Sequence, residues 1–109
     1  MKLWQDYVKE REGAYSIVRP EQGFLSYLMG EGECYIKELY VAPEYRRSGV
    51  AASMADEAVE HAKKEGCVVL TGSVDPRAKE AATSMRVLLA YGFSLWENRG
   101  NLTILRKDI

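Results

Sequence analysis

Apolar side chains recur along this chain at two different periods, and the switches between them mark its elements. Leu3, Trp4, Tyr7 and Val8 fall at helical spacing among charged residues and the run stops at Gly13, which predicts a short amphipathic opening helix. AYSIVR, FLSYLM and CYIKELYV are rich in aromatic and β-branched residues and are separated by the turn formers Pro20–Gly23 and Gly30–Glu33. They read as a three-stranded antiparallel meander. After Pro43 the period returns to helical: Val50, Met54, Ala55, Ala58, Val59 and Ala62 share one side, with Asp56, Glu57, Glu60, Lys63 and Lys64 on the other. Lys63, Lys64 and then Gly66 suit the negative end and the stop of that helix.

CVVLTGSV is a nearly continuous apolar run, as in a strand covered on both faces. Asp75 as N-cap and Pro76 at the first helical position predict the next helix, with Ala78, Ala81, Ala82, Met85, Leu88 and Leu89 inward and Gly92 as its end. FSLWE and NLTILR close the chain as a hairpin around Asn98–Gly100. The order helix, three strands, helix, strand, helix, two strands predicts a mixed α/β layout, one mostly antiparallel sheet with helices packed on both faces.

The length of 109 residues suits one domain spanning residues 1–109, and 47% hydrophobic with 28% charged residues is the composition of a chain with a core. Fifteen basic and sixteen acidic residues nearly cancel, so no net positive charge draws the chain to nucleic acid or to an anionic membrane. The N-terminus MKLWQDYVKE has no apolar stretch of signal-peptide length, and no run approaches membrane-spanning length, so a cytoplasmic protein is expected. Cys34 and Cys67 lie in apolar runs without C-x-x-C spacing and read as reduced core thiols. His61 is the only histidine, which leaves little from which to build a metal site, and none is expected. It falls on the mostly polar side of its helix and reads as a surface residue, while Trp4 and Trp96 read as core or interface anchors.

The stretch that carries chemistry is LYVAPEYRRSGVAA, Leu39–Ala52, where a strand runs through a turn into a helix beginning at a glycine. A helix N-terminus leaves several N–H groups without internal partners and carries partial positive charge, which suits an anion. Gly49 removes the side chain where a phosphate oxygen would come closest, Ala51 and Ala52 keep the first turn open, and Arg46 and Arg47 add forked donors. Taken alone, two arginines and a glycine before a helix also describe an ordinary solvated turn.

In context this segment resembles the acetyl-coenzyme A motif of the GNAT superfamily: Gln or Arg, two residues, Gly, one residue, Gly or Ala, met here by Arg46, Gly49 and Ala51. LYVAPEYR resembles the strand and turn that lead into that motif, and Tyr91-Gly92-Phe93 resembles the family's Leu-Gly-Phe. The resemblance runs from about Gly23 to the C-terminus and implies a GNAT-like fold whose sheet splays open after the LYV strand. It implies acetyl-coenzyme A as acyl-donor substrate, its diphosphate on Arg46, Arg47, Ser48, Gly49, Val50, Ala51 and Ala52 and its pantetheine amides paired with the backbone of Leu39, Tyr40 and Val41. A primary amine of a small molecule or a protein would attack the thioester directly, with a backbone N–H near Leu39–Val41 polarising the carbonyl.

The sequence departs from the family at four places. The usual general-base Glu stands at Tyr35, a catalytic or cleft-wall candidate, and Glu38 is the only carboxylate within the LYV strand, acting directly or through a water, or else lying on a solvated face. Leu88 stands where the family often has a general-acid Tyr, and Ala81 where it often has a cofactor-contacting Asn, so Ser84 is the remaining candidate for a polar contact to the pantetheine arm. The usual first strand and helix are missing ahead of the opening helix, which implies an open acceptor side or one completed by a second copy. The edge of AYSIVR and the last hairpin are then candidates for a homodimer. A catalytically silent GNAT-fold binding module is the alternative to the enzyme.

Overall fold

The computed structural model describes residues 2–109. Helix α1 (Lys2–Glu12) leads into strands β1 (Tyr15–Arg19), β2 (Gly23–Gly30) and β3 (Glu33–Val41). A single turn of 3-10 helix, Pro43–Tyr45, then precedes α2 (Val50–Lys64), β4 (Val69–Val74), α3 (Ala81–Tyr91), β5 (Ser94–Arg99) and β6 (Leu102–Asp108). The strands form one six-stranded sheet in the order β1-β2-β3-β4-β6-β5. Every neighbouring pair is antiparallel except β3 with β4, because a crossover through α2 returns the chain in the same direction. The mixed, mostly antiparallel α/β sheet with helices on both faces is the expected class.

The register fixes which side chains share a face. Tyr15 and Tyr27 are Cα partners and their rings stack at 5.5 Å. His61 of α2 sets its ring edge against Tyr15 at 4.8 Å and shares a hydrogen bond of 2.6 Å between Nδ1 and the Tyr27 hydroxyl. His61 is therefore half-buried against the sheet and not on the outer surface, because the helix face that meets β1 and β2 is wider than the alanine stripe alone. Gly72, paired with Ile36 on the same face, lies under Leu88 of α3: a Cβ there would stand 3.4 Å from Leu88 Cδ1. The Tyr91 hydroxyl donates to Asp56 Oδ1 at 2.6 Å, joining α3 to α2. Both helices thus cover one face. On the other face, Trp4 of α1 meets Phe24 edge-on at 5.7 Å, and Gln5 Nε2 donates to the Ser16 carbonyl at 2.9 Å.

The core lies between the sheet and the α2–α3 layer. Leu25, Met54, Leu70, Leu105 and Cys34 are the largest fully buried side chains, and each such aliphatic side chain stabilises the fold by roughly 1.5–3 kcal/mol relative to exposure. Cys34 and Cys67 are both buried and free. Among the described residues no helix is long and apolar enough to cross a membrane.

Two boundaries differ from the sequence expectation. Asp75 does not cap a helix: its Oδ1 accepts from the Arg77 backbone N–H at 2.9 Å and its carbonyl accepts from the Ala78 N–H, so Asp75–Ala78 is a closed turn. Helix α3 begins only at Ala81, and Ala78 lies outside it. The hairpin turn is Gly100–Asn101, later than Asn98–Gly100, since Arg99 still pairs with Leu102 and Gly100 takes φ 63°. The sheet edges are β1 and β5, the two places where self-association was expected. Every residue of β5 is exposed, Trp96 among them with the Arg106 guanidinium 4.7 Å over its ring.

Candidate functional site

The parallel pairing of β3 with β4 runs through four pairs, from Glu33 with Val69 to Ile36 with Gly72, and then stops. Strand β3 continues to Val41 with a partner only on its β2 side, so the two central strands part after Ile36 and Gly72. A β-bulge marks the same point: Tyr27 pairs with Ile36 but Ser26 with Glu38, leaving Lys37 as the extra residue. Its ammonium forms an ion pair with Glu12 of α1.

The bulge re-aims the strand. By strict alternation Tyr35 and Glu38 would face opposite ways; with one residue inserted, Tyr35, Glu38 and Tyr40 share the α1 face. Ala42 N–H donates to the Gln22 carbonyl at 2.7 Å, so the ladder's alternation turns the polar backbone groups of Leu39 and Val41 away from β2, toward the gap. Tyr40 turns its own groups to β2. Gly23 permits this close seam, since a Cβ on it would meet the Tyr40 carbonyl oxygen at 2.2 Å.

Past Val41 the chain makes the Pro43–Tyr45 turn and enters the loop before α2. Arg46 Nε donates to the Val41 carbonyl at 3.0 Å, with the guanidinium 5.9 Å from the Tyr40 ring centre. Arg47 has φ 64° and Gly49 φ 85°. Two left-handed residues so close in one turn coil the chain tightly just ahead of α2. Ser48 Oγ donates back to the Tyr45 carbonyl. The first bond of α2 is Ser53 N–H to Gly49 O at 2.9 Å, so the amides of Arg47 through Ala52 have no backbone acceptor. Arg46 to Gly49 are exposed, and a Cβ placed on Gly49 would meet no atom within 4 Å. Arg46 to Ala52 thus lie together in the turn and first residues of α2, directly after the open strand, with Val50 and Ala51 only partly exposed.

Glu38 is exposed on the half of β3 that has no β4 partner, and it makes no side-chain hydrogen bond or ion pair with another described residue. Its register partner Ser26 is 2% exposed, with an Oγ that has no partner. Tyr35 is half-buried, and its hydroxyl lies 2.7 Å from Ser73 Oγ. Ser73 is the first residue of β4 beyond its last pair with β3, at the mouth of the gap, and sequence reasoning passed over it. The only signal was the polar alternation of Thr71 and Ser73 inside an apolar strand. Thr71, on the same face, donates to the Glu33 carboxylate. Ser84 is exposed on the first half of α3 and makes no side-chain hydrogen bond. Leu88 is buried under Gly72. The Tyr91 hydroxyl is raised well above the usual tyrosine range by burial and by its bond to Asp56, and it serves to join two helices. Among the described residues no group of three or more His, Cys, Asp or Glu side chains is placed to hold a metal ion.

A family model described as Acetyltransferase (GNAT) family matches residues 2–85, reaching further toward the N-terminus than the sequence motifs alone. The structure resembles PaiA N-acetyltransferase from Thermoplasma acidophilum, solved in complex with coenzyme A (20% identity, TM-score 0.72), covering 81% of this chain and 54% of that one. It also resembles a Bacillus subtilis acetyltransferase in complex with CoA (15% identity, TM-score 0.69), covering 96% of this chain and 84% of the other. A GNAT-family acetyltransferase from Staphylococcus aureus is similar at 9% identity and TM-score 0.75, with coverages of 94% and 74%. This chain thus spans about half the length of the Thermoplasma protein and more of the others. Among curated proteins none matches it in sequence.

Proposed function

The chain belongs to the GNAT acetyltransferase family, and from that premise we propose that it transfers the acetyl group of acetyl-coenzyme A to a primary amine of a small molecule or a protein by direct attack. The observation that carries this reading is the parting of β3 from β4 after Ile36 and Gly72, followed at once by the loop of unpartnered amides at Arg47–Ala52. In the proposed complex the diphosphate rests on those amides with Arg46 and Arg47 beside it, where partial and full positive charge coincide. The pantetheine arm runs along β3 as an added strand, meeting the gap-facing groups of Leu39 and Val41. One of these, the Val41 carbonyl, already accepts from Arg46, which leaves the two N–H groups and the Leu39 carbonyl as the free contacts. Ser84 is the proposed polar contact from α3.

The thioester carbonyl then lies near Leu39, whose N–H stabilises the charge that develops on its oxygen. The incoming amine must be neutral to attack, and Glu38 takes its proton directly or through a water. Tyr35 lines the α1 side of the cleft. The buried Leu88 where the family often has an acidic tyrosine favours a second reading, a module that binds coenzyme A without turning it over.

Release of free thiol from acetyl-coenzyme A, followed across polyamines, aminoglycosides, amino acids and lysine peptides, tests the proposal. At least one amine class is expected to raise thiol release well above the amine-free rate, with the acetylated amine found by mass spectrometry. Thiol release that no amine accelerates, from protein that binds coenzyme A, would establish the silent module instead.

A further inference from the structure

We propose that the hydroxyls of Tyr35 and Ser73 act together as the proton relay that protonates the departing thiolate; this rests on the acetyl-transfer reading above. The placement comes from register. Tyr35 belongs to the last-but-one β3–β4 pair and Ser73 is the first β4 residue past the final one, so the two side chains flank the point where the strands separate, on the face that also carries Glu38. Their oxygens are 2.7 Å apart and either can donate. Each hydroxyl has one donor and two acceptor positions. One proton is spent between them, and the other remains for a third group at the mouth of the gap.

Helix α3 offers no free tyrosine to compete, and its exposed Ser84 is assigned above to the pantetheine arm. Leu88 has no proton to give, and the Tyr91 hydroxyl is held by Asp56 on the far side of the sheet from Tyr35. The chemistry balances without another reactant. The amine nitrogen bonds to the carbonyl carbon, the C–S bond breaks, and its electron pair leaves on sulfur. The proton that nitrogen loses passes to Glu38 or water. Sulfur gains one from the hydroxyl pair, which is refilled from solvent. Two hydroxyls in sequence let the donor keep its hydrogen bond while it gives up a proton, which is the advantage over a lone tyrosine.

The test uses the full chain with Ser73→Ala, Ser73→Thr, Tyr35→Phe and the Ser73→Ala/Tyr35→Phe double variant, measured by thiol release with the best amine and by slow acetyl-coenzyme A hydrolysis, which needs the same thiolate departure. Because thiolate leaves without a strong acid, each single loss is expected at the low end for general acid catalysis, about 10- to 100-fold in kcat. Ser73→Thr, which keeps the hydroxyl and suits a strand, is expected within about 3-fold of wild type. The double variant should fall no further than the worse single one, as for groups acting as a unit. Coenzyme A affinity and the thermal midpoint should hold within about 2-fold and a few degrees across the set. Ser73→Ala and Tyr35→Phe as fast as wild type, or losses that multiply in the double variant, would overturn the relay while leaving acetyl transfer standing. A wild type that binds coenzyme A yet releases no thiol by either route would overturn the relay together with the enzyme.

Discussion

Glu38 owes its position to a neighbour that does nothing chemical. Lys37 is the extra residue of the bulge, tied to Glu12, and its insertion turns Glu38 onto the face shared by Tyr35 and Ser73. If Glu38 takes the amine proton, Glu38→Gln should lower kcat at neutral pH by about 100-fold, at the low end of general base catalysis, with coenzyme A affinity unchanged. Kinetics across pH 6–10 check this: the deficit should shrink at high pH, where more of the acceptor amine is already neutral. Wild-type rates throughout for Glu38→Gln would place Glu38 outside the mechanism. Glu38 was legible as a candidate because it is the only carboxylate in the run CYIKELYV, although the strand itself begins one residue earlier, at Glu33. Its facing was not, because alternation counted along the sequence passes over a bulge. Ser73 stayed hidden for a related reason, since its importance depends on which β3 residue it meets, and parallel register is not written in either strand.

At the scale of elements the period of apolar residues was enough to find all three helices and all six strands. It failed where a polar side chain had two local uses. Asp75 followed by Pro76 reads equally as a helix cap or as a turn closed on Arg77, and the backbone took the turn. His61 was misplaced because its polarity hid a packing role: it fills the α2–β2 interface and satisfies the Tyr27 hydroxyl. That interface predicts a response to alkali. Burial raises the Tyr27 hydroxyl to about 12 from 10.0, and burial likewise raises the Cys34 thiol to about 12 from 9.0. Between pH 9 and 12 the unfolded chain therefore gives up protons that the folded chain keeps. Stability is then full below about pH 9 and falls as pH rises toward 12. Guanidinium midpoints followed by tryptophan fluorescence should be level from about pH 7 to 9 and decline above, with a shallower decline in Tyr27→Phe and in Cys34→Ala. Profiles for both variants parallel to wild type would show that neither group governs the loss.

Over the whole molecule, one sheet does two jobs. Its closed part packs α2 and α3 into a core, and its open part, from Lys37 to Val41, hands a strand with one free edge to a loop of free amides. The loop was legible in Arg46, Gly49 and Ala51. The gap followed from the family resemblance, because no residue in either strand announces where pairing ends. The acceptor of the proposed reaction was not legible at all, since no residue pattern in the sequence defines the shape of a binding face.

Whether the amides around Gly49 hold a diphosphate is tested most directly by calorimetric titration of coenzyme A. Wild type should bind one equivalent, more weakly as salt is raised. Gly49→Glu meets no atom that its Cβ would strike, but it strains the left-handed backbone and brings a negative charge to the anion site, and it should bind at least about 100-fold more weakly, a difference of roughly 2.7 kcal/mol. Gly49→Asn, which tolerates the left-handed backbone without adding charge, should stay within about 10-fold of wild type. Equal binding by the wild type and Gly49→Glu, or binding by neither, would contradict the account.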